Sequence, residues 1–238
     1  MDVLTDVLQT VRVNAVCYGR VELTAPWGFR ADAREDALFH VVLHGSCLLE
    51  VDGVEGEVAL SSGDLFALPH GNAHVLRDAS STAVRPLSEL LDCKAQSVDR
   101  VARFGGGGVG STLVCGAFHF EDQRNNPLLN VLPPLVLIKG EDGRAVHWLE
   151  PTLQFIASEA ISEAPGAQTV ISRLADILFI EIVRAYLAGA SDTDRGWLRA
   201  PAEPQIGSAL SLIHQDPAHA WTVASLAQNV GMSRSTFA

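Results

Sequence analysis

Apolar and polar positions along residues 37–51 (ALFHVVLHGSCLLEV) put Cys47, Leu49 and Val51 on one face and Leu48 and Glu50 on the other. A period of two predicts a strand, because successive side chains leave a pleated backbone on opposite sides. Asp52-Gly53 follows as a hairpin signal. Short apolar runs continue through GEVALSSGDLFALPHGNAHVL, broken at Gly63-Asp64 and at Pro69 to Gly71. Several short strands with frequent turns predict a sandwich or small barrel. Ahead of them, Leu4, Val7, Leu8 and Val11 fall at helical spacing behind Asp2, which predicts a short amphipathic helix over 3–11. From Leu76 to Gly110 no period is visible, and the stretch reads as one long loop. A last strand is expected over 111–121 (STLVCGAFHFE).

After Asn126 the period becomes helical. One helix is expected over 151–162, stopped by Pro165-Gly166, and a longer one over 168–188. In the latter Val170, Ile171, Leu174, Ile177, Leu178, Ile182, Val183, Tyr186 and Leu187 make an apolar set wider than a surface stripe. Such a helix is either a core helix or one shared with a second copy of the chain. The turn-rich run 189–204 (GASDTDRGWLRAPAEP) reads as a linker. Beyond it Ile206, Ala209, Leu210 and Ile213 make one amphipathic helix ended at Asp216-Pro217. In WTVASLAQNVGMSRSTFA, Thr222 is placed to cap a helix whose Leu226 and Val230 face inward, and Ala227 permits close helix approach. Gly231 suits a left-handed turn, and Ser233 can cap a second helix starting Arg234-Ser235-Thr236-Phe237. That order specifies a helix-turn-helix. A generic helical hairpin is the alternative on these residues.

With 238 residues, 47% hydrophobic and 19% charged, the chain resembles an ordinary globular protein with room for one large or two modest domains. It has no apolar run of membrane-spanning length, and its acidic start lacks a cleavage signal, so a cytoplasmic protein is expected. Cys17, Cys47, Cys93 and Cys115 are scattered without a C-x-x-C pair, which argues against a disulfide framework or a zinc knuckle. Two readings stand for them: buried, reduced thiols, or a redox-responsive pair that includes Cys115. The net charge of −11 sits badly with DNA binding, which rests on Lys and Arg against phosphates.

The string LIHQDPAHAWTVASLAQNVGMSRSTFA closely resembles the opening of the AraC-type DNA-binding domain, with its Asp-Pro break, Trp221-Thr222 and Met232-Ser233-Arg234-Ser235. The residues RGWLRA and the strand-rich first half resemble the subfamily whose sensor is a cupin. That resemblance implies promoter DNA as a partner, with Ser233, Arg234, Ser235 and Thr236 entering the major groove and Arg234 as the leading base or phosphate contact. Ser233 as a helix cap alone is the other reading. Such domains carry two helix-turn-helix units, and this chain stops in the first, with Asp216 and Arg234 the only formal charges from Gln205 onward. The expectation is therefore a truncated product, weak or defective in DNA binding, whose basic surface lies in the absent part.

Residues 63–74 (GDLFALPHGNAH) fit the second cupin motif, which resembles G-D-x4-P-x-G-x2-H through Gly63, Asp64, Pro69, Gly71 and His74. The first motif fails. Aligned on Gly45, it puts Leu38 where a metal-binding cupin has Glu, and its His-x-His falls near Asp32 and Arg34, or Ala31 and Ala33. That weighs against oxygenase or isomerase chemistry. His40 lies on the Leu38 face, so His40 and His74 are expected to point inward. With Cys115 they form the candidate effector pocket; alone they are candidate ligands of a divalent metal, although two imidazoles hold one poorly. The glycine run 105–108 lacks the Lys of a phosphate loop and precedes a strand.

The expected fold is α+β: a cupin-like β-barrel or jelly roll over 1–125, a helical dimerisation and relay segment over 126–188, a linker over 189–204, and part of a helix-turn-helix domain over 205–238. The expected function is a homodimeric, non-enzymatic regulator sensing a small molecule or oxidant. A metal-dependent cupin enzyme and a bare dimerisation module are the alternatives.

Overall fold

The computed structural model describes residues 13–90, 101–120, 126, 128–140, 151–152, 155–156, 158–159, 164–189, 204–216 and 218–237. The helix expected over 3–11 and nearly all of the linker lie outside these residues. Residues 13–186 form one compact unit and 187–238 fall in a second.

In the first unit the strands are β1 (Val13–Thr24), β2 (Gly28–Ala31), β3 (Ala37–His44), β4 (Ser46–Val51), β5 (Val58–Ser61), β6 (Leu65–Leu68), β7 (His74–Arg77) and β8 (Arg85–Pro86). A one-turn helix α1 (Leu87–Leu90) precedes β9 (Val101–Gly105) and β10 (Gly110–Phe120). β11 (Val136–Ile138) comes after a 3-10 turn at Leu129–Val131. They make two sheets, ordered β11-β6-β3-β10-β1-β9 and β5-β4-β7-β2-β8, and this mixed α+β architecture is that of a jelly roll.

The two sheets bury their facing sides in one apolar core: Leu23, Leu38, Val42, Phe66, Leu68 and Leu113 from the larger, Phe29, Cys47, Leu49, Val51, Leu60 and Leu76 from the smaller. The alternation read in β4 is therefore the inward and outward faces of the small sheet. β3 is apolar on both faces for a separate reason. Its outer Phe39 stacks on Phe118 of β10 at 4.8 Å, and Phe118 and Phe120 meet Phe179 edge-on at 5.6 and 5.1 Å. Phe179 belongs to α2 (Ala167–Gly189), so this helix covers the back of the large sheet. A strand covered on both sides loses its alternation.

Two expectations are corrected. The stretch 76–110 is not one loop: β7 runs to Arg77, β8 pairs parallel with β2, and β9 pairs parallel with β1 from Arg20↔Val101 to Thr24↔Gly105. The segment after Asn126 is not helical at its start, because β11 extends the large sheet beside β6. The described residues between 151 and 159 are helical, as expected.

The second unit contains α3 (Pro204–Gln215), α4 (Val223–Asn229) and α5 (Arg234–Phe237). Among the described residues no helix is long and apolar enough to cross a membrane.

Candidate functional site

The G-D-x4-P-x-G-x2-H motif builds the bend that aims His74. Gly71 takes φ +65°, a left-handed conformation, and a Cβ there would collide with the carbonyl oxygens of Arg34 and Asp36. Its backbone is tied on both sides, Gly71 N–H to Leu68 O at 3.0 Å and Arg34 N–H to Gly71 O at 2.9 Å. Asp64 does more than occupy a turn. With 1% of its surface exposed, it accepts from the amides of Gly140 at 2.8 Å and Ser61 at 2.9 Å and from Lys139 Nζ at 2.9 Å. Burial pushes its carboxyl up, but the two amides and Lys139 outweigh that and hold it below the usual range. The segment after β11 is thereby fastened to the β5–β6 turn. Lys139 is outside the motif, and sequence reasoning missed it.

His40 of β3 and His74 of β7 come from opposite sheets and meet in the core, 6% and 1% exposed. Their rings lie 4.9 Å apart at 68°, and Phe66 stacks on His40 at 4.6 Å and 14°. His74 Nδ1 is 3.1 Å from the Asn72 carbonyl oxygen, which can only accept, so the proton sits on Nδ1 and Nε2 keeps its lone pair. Among the described residues His74 Nε2 and both His40 nitrogens have no hydrogen-bond partner. Burial, and then His74, pushes the His40 imidazole well below the usual histidine range. Burial lowers His74 too, reinforced by Arg30 and opposed by the Asn72 carbonyl and Asp52. Both rings are neutral at pH 7.

Cys115 of β10 is in register with His40, which places both on the inner face of the large sheet. Cys47 lies on the inner face of the small one. Both are free thiols, each pushed up to about 12 by burial, Cys115 further by Cys47 and Cys47 by Asp64. The structure places His40 and His74 in the core and the half-buried Cys115 in register with His40, while His44 is exposed. Cys17 has no described side chain, and Cys93 lies outside the described residues.

A metal-binding cupin supplies three imidazoles and a carboxylate. Motif alignment puts Leu38 at the carboxylate position, and among the described residues no three His, Cys, Asp or Glu side chains converge as a metal site. Two neutral imidazoles facing each other edge-on do not fit a firmly held divalent ion.

The second unit places the DNA candidates. Thr222 and Ser225 cap α4 reciprocally: Thr222 Oγ1 accepts from the Ser225 amide at 3.1 Å, and Ser225 Oγ from the Thr222 amide at 3.0 Å. Leu226 and Ala227 are buried, Gly231 takes φ +70°, and the Met232 amide donates to Ala227 O at 2.8 Å. Ser233 Oγ accepts from the Thr236 amide at 3.1 Å and starts α5. The cap reading of Ser233 is therefore real. Arg234, Ser235 and Thr236 are exposed along the first turn that follows.

The cupin family model matches residues 2–188. An AraC-like transcription regulator of Streptomyces lividans is 32% identical over 241 residues, covering 100% of this chain and 77% of that protein. The HTH-type transcriptional regulator AlkR of Acinetobacter baylyi is 32% identical over 247 residues, covering 100% and 78%. ToxT of Vibrio cholerae aligns over 93% of this chain and 72% of its own at TM-score 0.43 and 10% identity, a likeness too loose to bear on function. The chain belongs to the cupin family through residues 2–188 and, over its whole length, to the AraC-like transcription regulators.

Proposed function

We propose that this protein is a cytoplasmic, homodimeric, non-enzymatic regulator that senses a small molecule or an oxidant between its two sheets and reads promoter DNA with the first turn of α5. The observation that carries the reading is the capped α4, the left-handed Gly231 and the capped α5 in succession, with Arg234, Ser235 and Thr236 exposed where a recognition helix meets base edges. Ser233 holds the helix start, and Arg234 makes the principal base or phosphate contact.

In this reading residues 1–125 hold the effector, with His40, His74 and Cys115 as its polar contacts. Residues 126–188 relay the bound state, 189–204 link, and 205–238 read DNA. Dimerisation runs through α2, where Ile177 is 48% exposed while Ile171, Leu178, Phe179, Ile182 and Val183 of the same helix are buried. An Ile177→Glu protein is expected to sediment as a monomer where the wild type sediments as a dimer.

Footprinting on genomic DNA of the chain carrying a complete, two-unit AraC-type DNA-binding domain tests the function. The wild type is expected to protect discrete promoter sites, and Arg234→Ala to weaken binding by about 5- to 150-fold, the worth of one good base contact. A protein that never prefers any promoter to bulk DNA overturns the proposal.

A further inference from the structure

Three hydroxyls crowd the start of α5. Ser233 Oγ lies 2.9 Å from Ser235 Oγ and 2.8 Å from Thr236 Oγ1, and it accepts from the Thr236 amide at 3.1 Å. Ser235 and Thr236 are exposed on the turn that the proposed reading sets against base edges.

The protons available at Ser233 limit what its neighbours can offer. A serine hydroxyl has one proton and two lone pairs. The Thr236 amide occupies one lone pair, which leaves one proton to give and one lone pair to fill. With two hydroxyls in reach, Ser233 donates to one and accepts from the other. The neighbour that accepts keeps its own proton free to turn outward and is a donor. The neighbour that donates has spent its proton on Ser233 and faces outward as an acceptor alone. Whichever way the chain of bonds runs, Ser235 and Thr236 together offer one donor and one acceptor.

That pattern has a matching base edge. In the major groove adenine presents N7 as an acceptor beside its N6 amino donor, whereas guanine presents two acceptors, N7 and O6. A donor beside an acceptor pairs with adenine, as a carboxamide does. Against guanine one hydroxyl oxygen is left facing O6, lone pair to lone pair. Without Ser233 both hydroxyls rotate freely, and either can donate to guanine.

From this geometry we infer that Ser233 is a positioning residue for base readout. It fixes Ser235 and Thr236 as one donor and one acceptor, and so makes the first turn of α5 prefer adenine to guanine. This role rests on the DNA reading proposed above and goes beyond it, since a helix cap needs only the Thr236 amide. Ser233 acts through its two neighbours and makes no base contact itself.

Binding of promoter duplexes by the chain with a complete two-unit DNA-binding domain tests it. Each purine of a protected site is exchanged in turn, A for G and G for A, together with its paired base. The wild type is expected to prefer A to G about 5-fold or more at one position, and Arg234→Ala to leave that preference in place. Ser233→Gly keeps a good helix start, because glycine is an acceptable N-cap, but it frees both hydroxyls. It is expected to bring the ratio at that position below about 2-fold, with affinity for non-specific duplex unchanged. Ser233→Thr restores the hydroxyl and is expected to restore the ratio. A purely structural role gives weaker binding of Ser233→Gly to every duplex at an unchanged ratio, and that result overturns the inference. Should Ser233→Gly not fold, Ser235→Ala decides: the cap stays in place, loss of the preference supports the inference, and its survival overturns it. A wild type that protects promoter sites without preferring A to G at any purine overturns the inference and leaves the DNA reading standing. One that protects no promoter site overturns both.

Discussion

Replacing Asp64 tests whether the second cupin motif acts here as a fastener. Asp64→Ala removes a buried carboxylate that accepts from two backbone amides, at 2.8 and 2.9 Å, and from Lys139 at 2.9 Å. A hydrogen bond to a charged group is worth about 1.5–3 kcal/mol, so the two amides together carry about 3–6 kcal/mol. Lys139 adds little, because its side chain is 43% exposed and its ammonium returns to water when the partner leaves. Two amides left without an acceptor cost about 1–3 kcal/mol each, and we take the middle of their sum, about 3–5 kcal/mol, for the variant. With an m-value of about 2 kcal/mol per molar urea, the transition of the strand-rich unit moves down by about 1.5–2.5 M. Lys139→Met is the control and is expected to move it by less than about 0.5 M.

The pH dependence adds a second check. The Asp64 carboxyl is held below its ordinary value of 3.8, so its contribution is complete above that value and lost as pH falls through the depressed one. The gap between wild type and Asp64→Ala is therefore expected to be constant through neutral pH and to close only in strong acid. A midpoint within about 0.5 M of wild type for Asp64→Ala would refute the reasoning, and Gly140 and Ser61 would then have to find other acceptors at no cost.

Two further outcomes follow from the same geometry. Gly71→Ala is expected to destabilise the strand-rich unit by at least about 2 kcal/mol in urea unfolding, because φ is +65° and the new Cβ meets the Arg34 and Asp36 carbonyl oxygens. Cys47, 2% exposed with its thiol pushed up to about 12, is expected to react with a thiol reagent at pH 7.5 more than about 100-fold slower in the folded protein than in denaturant, and the half-buried Cys115 to be slowed less. Mass mapping of labelled peptides checks it, and rapid labelling of either would favour the thiol-switch reading over inert buried thiols.

The helix-turn-helix was legible because every determinant is local. Thr222 and Ser225, Ala227 and Met232, Gly231, and Ser233 and Thr236 settle the backbone within a few residues of one another. Edge strands behave differently. β9 is five residues long, two of them exposed and none buried, and lies in the sheet because its backbone groups pair with β1 some eighty positions away. No apolar period announces such a strand, since burial is not what holds it, and 101–110 read as loop. β11 has three residues, too few to establish a period.

The histidines lie between these cases. Alternation from Leu38 placed His40 on the inner face, and the motif carried His74 to the end of its bend, so both positions could be read from short-range pattern. Their state could not. Whether an imidazole finds a partner depends on what the opposite sheet presents at that height, and this is fixed by the pairing of β3 with β6 and β10 on one side and of β7 with β2 and β4 on the other. Those pairings bring a base against a base, with Phe66 rather than a carboxylate at its back. A ligand set is likewise a property of convergence, and among the described residues no third His, Cys, Asp or Glu joins the two imidazoles.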